Sequence, residues 1–439
     1  MGAGLSSTQW YLDAIGVRGL AEQGVDGRGV TVAVLDSGIQ KRHAGLQGFW
    51  RNPGEVPGNG LDDDLNGYAD DVSGWDMCHD APARDDPPWW HGTFVAGVLR
   101  ADGRGGPLGI APGVELMDLQ VFCDDDTHPE RDPVLQTDAL REGIRYAVDN
   151  GADIISISMQ AWPDFGHSLP EDLLGVRDEF EHAEASGVLL VAAAGNTGAS
   201  GPESPGDMPH VFTIGATTGC GFRHGFSNHG PGVDLWAPGR ALSLRDGEPV
   251  WEAGTSFATP MVAGSAALLL QREPGLAPEE VRQRLLAAAG TSEDGPVLDM
   301  HDVFGTAAAP SPGSIRLVGP EQVPDPHYIQ WTGDAAPLLE IRVQGAGAWC
   351  YRTDGIAEET FLVRTADGPV DVSARLHDGR QAGPWTQVRL VHDPDAPAAS
   401  PRPLWTDDAP VETQDSPAGL LAVVTGLGVA AALRRKARA

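Results

Sequence analysis

Three short apolar runs, rich in β-branched residues, stand out in the first half of the chain. They cover residues 30–36 (VTVAVLD), 153–158 (DIISIS) and 188–196 (VLLVAAAGN). Near-continuous apolar runs of this length are typical of strands that are buried on both faces, as in a parallel sheet. Each run ends in polar residues, and open α/β sheets place their active sites at the carboxyl ends of the strands. The pattern therefore predicts a parallel sheet with functional side chains along one edge.

Helical spacing of apolar residues separates these runs. Two helices are predicted before Asn150-Gly151 and before Gly187, and their apolar faces consist of Leu140, Ile144, Ala147 and Val148, and of Leu173, Val176, Phe180 and Ala183. Two further helices are predicted at about 257–271, rich in small residues, and at about 278–289, which opens with Pro278. Strands that alternate with helices predict an α/β domain with right-handed βαβ crossovers, here over residues 1–308.

The pattern changes after about residue 308. Residues 307–313 (AAAPSPG) indicate a linker, and 314–392 alternate short apolar segments with turns. This pattern predicts a small all-β sandwich that resembles a fibronectin type III module. Residues 393–417, rich in Pro, Asp and Ala, are expected to form a disordered stalk.

The last apolar segment covers residues 418–433, and the basic residues of 434–439 follow it directly. As a helix, its 16 residues would span about 24 Å, less than the ~30 Å hydrocarbon core of a bilayer. The basic end favours a transmembrane or processed sorting-tail helix that anchors the protein by its C-terminus, with 434–439 as a cytoplasmic tail. An amphipathic or buried terminal helix is the alternative. At the other end, residues 1–16 match neither a signal peptide nor a prosegment, so either the chain starts further upstream or export is atypical.

Composition narrows the range of partners. The chain has 62 acidic and 30 basic residues, a formal net charge of −32, which argues against nucleic acid as a partner. Its four cysteines, Cys78, Cys123, Cys220 and Cys350, have no C-x-x-C spacing, which excludes a zinc knuckle by pattern. They are expected to be structural or free, and a Cys78–Cys123 pair is conceivable in an exported protein.

Four separated segments together supply the groups that acyl transfer by serine requires. Asp36 lies in VLDSGI, His91 in HGTFVAGV, Asn196 in AAAGN and Ser256 in GTSFATPMVAG. Serine hydrolysis needs a nucleophile, a base, a group that orients the base, and donors for the oxyanion. Each segment alone is a weak signal, but the order Asp, His, Ser is the order found in subtilisin.

These blocks, with GIAPGVELMDLQV and FSNHGPGVDLWAPG, make residues 8–305 resemble a subtilase catalytic domain. The resemblance implies a three-layer fold with a mostly parallel seven-stranded sheet, and hydrolysis of internal peptide bonds. It assigns nucleophile, base and orienting acid to Ser256, His91 and Asp36. It assigns an oxyanion donor to the side-chain amide of Asn196.

The resemblance also implies segments that bind an extended substrate. They contain Ser158, Met159, Gln160, Ala194 and Gly195. Ser158-Met159-Gln160 replaces the more common Ser-Leu-Gly, so a side chain at Gln160 is expected to change substrate preference. The acidic run 124–126 suggests either a preference for basic residues upstream of the cut or a solvated acidic loop.

An acidic stretch before the histidine block suggests calcium. Asp62-x-Asp64-x-Asn66-Gly67 matches the first half of an EF-hand loop, but Ser73 stands where that loop needs Glu. Related subtilases carry a similar stretch, which implies structural Ca²⁺ bound by Asp62, Asp64, Asn66 and Asp70 or Asp71. An ordinary acidic surface loop is the alternative.

The sequence thus predicts a secreted serine endopeptidase that is held at the cell surface, acts on proteins or peptides, needs no organic cofactor and is monomeric. A catalytically silent surface binding or adhesion protein on the same scaffold is the alternative from another class. An esterase that uses the same serine is a third possibility.

Overall fold

The computed structural model divides the chain into two compact units, Met1–Ala307 and Ala308–Ala439. It describes residues 9–104, 106–123, 134–135, 137–159 and 174–306 of the first unit. Of the second it describes 315–318, 322–323, 327–333, 338–343, 347–352, 358–363, 370–377 and 383–392.

The first unit is built on a large sheet whose main strands are buried apolar runs. Its strands are β1 (Thr31–Asp36), β2 (Gly74–Asp76), β3 (Ala81–Pro82), β4 (Glu115–Gln120), β7 (Ile154–Ile157), β8 (Leu189–Ala193), β9 (Val211–Thr217), β10 (Leu235–Pro238), β13 (Gly290–Thr291) and β14 (Pro296–Val297). Two hairpins lie outside it, β5 (Phe122–Cys123) with β6 (Val134–Leu135) and β11 (Arg240–Arg245) with β12 (Glu248–Ala253).

Within the described residues, the sheet has ten strands in the order β13-β14-β10-β9-β8-β7-β1-β4-β2-β3. All neighbours are parallel except the outermost pair at each end. The mostly parallel sheet is as predicted, but the number of seven strands is wrong. Four of the ten strands contain only two or three residues, too few for a hydrophobic period to be visible in the sequence.

Helices pack on both faces of this sheet. They are α1 (Trp10–Ile15), α2 (His91–Arg100), α3 (Thr137–Asp149), α4 (Leu174–Ala185), α5 (Thr255–Arg272), α6 (Pro278–Ala288) and α7 (His301–Phe304). Helices α3 and α4 cover one face, where they meet Ala33 and Leu35 of β1 in a single buried cluster. Because side chains alternate along a strand, Val32 and Val34 face the opposite layer, where α2 and α5 pack.

This architecture places the ends of several elements at one edge of the sheet. Strands β1, β7 and β8 run parallel as neighbours, so their carboxyl ends meet there. Helix α5 is buried from Thr255 to Leu269, and α2 from Gly92 to Arg100, so both helix starts are fixed by the core. The first unit therefore holds its candidate site on rigid elements.

The second unit contains strands β15 to β22. Their bounds are Ile315–Val318, Gln322–Val323, His327–Gly333, Leu338–Val343, Gly347–Arg352, Glu358–Val363, Val370–His377 and Thr386–His392. They form a three-stranded sheet, β15-β17-β20, and a five-stranded sheet, β16-β22-β21-β18-β19. The fibronectin type III-like sandwich stays a prediction.

The C-terminal segments predicted as stalk (393–417), apolar helix (418–433) and basic tail (434–439) lie outside the described residues. Within the part of the chain that is described, no helix combines the length and the apolar character needed to cross a bilayer.

Candidate active site

Asp36 and His91 come together at the carboxyl edge of the sheet. Asp36 is the last residue of β1 and is 1% exposed, and His91 is the first residue of α2. The His91 Nδ1 atom lies 2.9 Å from Asp36 Oδ1 and 3.1 Å from Oδ2. A carboxylate at Nδ1 favours the tautomer that carries its proton there, which leaves Nε2 free to act as a base.

Local contacts fix the two partners. The backbone N–H of Ser37 donates to Asp36 Oδ1 at 2.7 Å, and the N–H of Gly92 donates to the Ser37 hydroxyl at 3.1 Å. A Cβ atom on Gly92 would lie 2.3 Å from the carbonyl oxygen of Gly38. Glycine at position 92 therefore lets α2 start close enough to β1 for the hydrogen bond to form.

Ser256 lies in the first turn of α5, immediately after Thr255, and is 8% exposed. The ring of the next residue, Phe257, lies 5.7 Å from the His91 ring between centroids. Ser256 is thus flanked by one residue that contacts His91. A helix N-terminus also carries a partial positive charge, which favours a developing oxyanion.

The other neighbour of Ser256 holds Asn196. Both the backbone N–H and the hydroxyl of Thr255 donate to the Asn196 side-chain oxygen, at 2.9 and 3.0 Å. Because the oxygen is turned toward Thr255, the amide nitrogen of the exposed Asn196 side chain is turned away from it. A pre-oriented amide donor beside the nucleophile is what an oxyanion hole requires.

Asn228 organises the segment that leads to Asn196, and the sequence did not reveal this role. Its buried side chain accepts hydrogen bonds from the N–H groups of Thr197 and Ala199, both at 3.0 Å, and donates to the Ala194 carbonyl at 3.1 Å. Its backbone N–H donates to the Gly195 carbonyl at 3.0 Å. The residue lies in the FSNHGPG block, but only the fold shows what its amide does.

A model of the family described as "Subtilase family" matches residues 27–310. The chain belongs to the subtilase family. The resemblance seen in the sequence is thereby confirmed.

Named relatives agree with the family. Subtilisin DY of Bacillus licheniformis is 31% identical over 274 residues, which cover 61% of this chain and 86% of that protein. Subtilisin E of Bacillus subtilis (strain 168) is 32% identical over 292 residues, which cover 64% of this chain and 66% of that protein. At the level of the family, these similarities support a serine peptidase.

Solved structures agree as well. The prenylagaramide maturation protease PagA is 26% identical, with a TM-score of 0.51, over 67% of this chain and 99% of that one. The nisin leader peptidase NisP of Lactococcus lactis, at 22% identity and a TM-score of 0.52 over 68% of this chain and 94% of that one, shows the fold alone.

The predicted substrate-binding residues of this subtilase follow two adjacent strands. Ser158 comes directly after β7 and is 1% exposed, and Met159 is half-buried against the core. Ala194 and Gly195 come directly after β8 and are buried. Gln160 and the acidic run 124–126 lie outside the described residues.

The predicted metal ligands do not all lie together in the structure. Ligand oxygens of Asp62 and Asp64 lie within 4.8 Å of each other and of Glu55, which was not predicted. Asp70 and Asp71 do not belong to this group. Their carboxylates accept hydrogen bonds elsewhere, Asp70 from the N–H groups of 58–60 and Asp71 from three side chains, those of Asn52, Asn66 and Tyr146.

Backbone N–H groups donate to all three carboxylates, but the negative charges still repel each other, and a cation between them would offset this repulsion. Hard carboxylate oxygens are the ligands that Ca²⁺ prefers. The chemistry of Glu55, Asp62 and Asp64 therefore fits a calcium ion, with Glu55 in place of Asp70 or Asp71. The side-chain nitrogen of Asn66 donates to Asp64 and to Asp71, so Asn66 links the two groups.

Two disulfides involve described cysteines. Cys78 and Cys123, 45 residues apart in sequence, are bonded to each other, which was one of the options left open by the sequence. Cys220 is also disulfide-bonded.

Proposed function

We propose that this subtilase is a serine endopeptidase that cleaves internal peptide bonds with Ser256, His91 and Asp36. The observation that carries the proposal is the contact of buried Asp36 with His91, next to a helix start that holds Ser256 and orients Asn196. These parts supply the nucleophile, base, orienting acid and oxyanion donor that acyl transfer needs.

The reaction starts with proton transfer. His91 Nε2 takes the hydroxyl proton of Ser256 as the oxygen attacks the peptide carbonyl, and Asp36 stabilises the imidazolium that forms. The amide of Asn196 and the backbone N–H of Ser256 donate to the oxyanion. His91 then gives its proton to the leaving amine, and water hydrolyses the acyl-enzyme by the same steps.

Hydrolysis of a protein substrate tests the proposal. The wild-type chain should cleave casein at internal bonds, and Ser256→Ala should lower kcat about 10⁶-fold, the loss that removal of this serine causes in a subtilisin. Peptide and short-ester substrates should be compared in the same assay. Ester turnover without peptide turnover would contradict an endopeptidase and favour an esterase.

We also propose that Glu55, Asp62 and Asp64 bind a structural Ca²⁺. The support is the close approach of their ligand oxygens. The ion would balance the three negative charges and tie residue 55 to the loop that carries Asp62 and Asp64. A ligand that binds only the folded state stabilises it, by about 2.7 kcal/mol at a hundredfold excess over Kd.

Thermal unfolding with and without a chelator tests the calcium site. EDTA should lower the Tm of the wild type but not that of Asp62→Asn/Asp64→Asn. Asp70→Asn is the matched control, because this carboxylate accepts only backbone N–H groups in the described residues. The control should lose stability but keep its response to EDTA, and an equal EDTA response in the Asp62/Asp64 variant would refute the site.

A secreted enzyme held at the cell surface by residues 418–433 is proposed as well. The Cys78–Cys123 disulfide supports it, since disulfides persist in oxidising compartments. Removal of residues 418–439 should move the protein from the cell surface to the medium. An unchanged distribution would contradict anchoring by this segment. The monomeric state stays a prediction.

A further inference from the structure

Glu203 is a buried acid that no step of the proposed reaction uses. It is 9% exposed, and its Oε1 atom accepts a hydrogen bond from the Thr197 hydroxyl at 2.7 Å. Its Oε2 atom is buried and has no hydrogen-bond partner among the described residues. Half of this carboxylate therefore lacks the partner that a buried charge normally requires.

The unpaired oxygen lies against the segment that carries Asn196. The backbone N–H of Glu203 donates to the Ala194 carbonyl at 2.9 Å. A Cβ atom built on Gly195 would lie 2.8 Å from Glu203 Oε2, and Gly195 has a φ of +108°. Because consecutive Cα atoms are about 3.8 Å apart, the carboxylate lies within about 8 Å of the Asn196 Cα.

Glycine at position 195 keeps the space between this oxygen and the backbone open. Both Ala194 and Gly195 belong to the segment expected to contact substrate. When a substrate carbonyl oxygen points at the Asn196 amide, the side chain of that same substrate residue begins two bonds from the carbonyl carbon, attached to the Cα atom. A long side chain from that position is within reach of Glu203.

A purely structural role would not need the charge. The Thr197 hydroxyl has a single proton, within reach of Glu203 Oε1 at 2.7 Å and of Asn228 Oδ1 at 3.0 Å, and a glutamine oxygen at position 203 would accept it equally well. The second carboxylate oxygen becomes useful when a cationic group arrives, because a guanidinium or ammonium then supplies the missing donors. The net charge of −32 also attracts cationic peptides over longer distances.

We propose that Glu203 determines substrate specificity by binding the cationic side chain, arginine or lysine, of the residue that contributes the scissile carbonyl. This proposal rests on the proposed peptidase function. It assigns to Glu203 a binding role and no part in proton transfer.

Matched peptides test the proposal directly. The full chain is assayed on fluorogenic peptides that differ only in the residue before the scissile bond, with arginine, lysine, leucine or citrulline, the neutral analogue of arginine. The arginine peptide should have the highest kcat/KM. In Glu203→Gln, kcat/KM for arginine should fall on the order of 10²- to 10³-fold, the effect of breaking a buried charge pair, while that for leucine stays within about threefold.

Glu22→Gln is the control, because Glu22 is an exposed acid in a surface 3₁₀ turn. It removes the same charge and should leave the arginine preference unchanged. Equal kcat/KM for arginine and citrulline in the wild type, or an unchanged preference in Glu203→Gln, would overturn the proposal.

A binding measurement separates this proposal from the peptidase function. Calorimetry with the Ser256→Ala chain should show tighter binding of a peptide ending in arginine than of the same peptide ending in citrulline. That result, found together with a wild type that hydrolyses nothing, would refute the peptidase and support the Glu203 site. Equal binding of both peptides would overturn the Glu203 site, even if Glu203→Gln does not fold.

Discussion

Thr255 should affect catalysis by orienting the Asn196 side chain, and kinetic measurements can test this. Its hydroxyl is one of two donors to the Asn196 side-chain oxygen, and the backbone N–H remains when Thr255 is replaced by valine. A net hydrogen bond contributes about 1 kcal/mol, so Thr255→Val should lower kcat about fivefold. Asn196→Ala removes the oxyanion donor itself and should raise the activation free energy of the reaction by about 2.7–4 kcal/mol, the loss measured for such a donor in a subtilisin.

A double variant shows whether Thr255 affects kcat by positioning the Asn196 amide or independently of it. If Thr255 only positions the amide, Thr255→Val/Asn196→Ala should have the same kcat as Asn196→Ala alone. The assay is kcat on a peptide substrate, corrected for active enzyme by titration. Additive losses, about fivefold beyond Asn196→Ala, would refute the positioning role.

A comparison of Thr255→Val with the wild type needs a control for folding stability, because the Thr255 hydroxyl also accepts a hydrogen bond from the Gly195 N–H at 3.3 Å. Leaving that buried donor unpaired costs about 1–3 kcal/mol of folding free energy. Thr259→Val is the control for this loss of stability, because it also removes a buried hydroxyl from α5. Thr259 is as buried as Thr255, and its hydroxyl donates to the Thr255 carbonyl at 2.9 Å. It should lower the Tm but leave kcat unchanged.

Three further predictions follow from packing, charge and covalent structure. Gly92→Ala should lower kcat more than tenfold without changing the fold, because the added Cβ would clash with the Gly38 carbonyl and displace the adjacent histidine. Enzyme kinetics and circular dichroism measure the two effects. A variant with the kcat of the wild type would contradict this prediction. Burial raises the pKa of Asp118 to about 6, against the opposing effect of a lysine. The unfolded chain therefore loses this proton at a lower pH than the folded chain does. As pH rises from 4 to 7, the unfolding free energy of the wild type should fall by about 2 kcal/mol relative to that of Asp118→Asn. Parallel curves of unfolding free energy against pH, measured by urea titration, would refute this prediction. Replacing Cys78 and Cys123 by serine should lower the free energy of unfolding by about 3–4 kcal/mol, the effect expected for a disulfide between residues 45 positions apart. Urea unfolding measures this loss. An unchanged urea midpoint would show that the disulfide does not stabilise the fold.

The long elements were predictable because their periodicity is local. The run 153–158 became β7 (Ile154–Ile157), and the helix expected at about 257–271 became α5 (Thr255–Arg272). The β11–β12 hairpin escaped notice. Its second strand, Glu248–Ala253, has no buried residue, so its sequence carries no clear alternation of buried and exposed positions.

Only those residues of the candidate site that lie in recognisable sequence motifs could be predicted from the sequence. Asp36, His91, Asn196 and Ser256 lie in such blocks. Other residues act through the fold: Asn228 bonds to Ala194, 34 residues earlier, and Glu55 reaches Asp62 and Asp64 from outside the acidic motif. Nothing in the local sequence of Glu203 distinguishes it from the many other acids of this chain.

In the proposed mechanism, Ser256 is the nucleophile and His91 activates it. The most direct measurement is covalent labelling of the folded, calcium-loaded chain with a fluorophosphonate, followed by peptide mass mapping. The wild type should carry one label on Ser256, and His91→Ala should react orders of magnitude more slowly although its serine is intact. A folded wild type that stays unlabelled, or labelling at another residue, would contradict this role of Ser256.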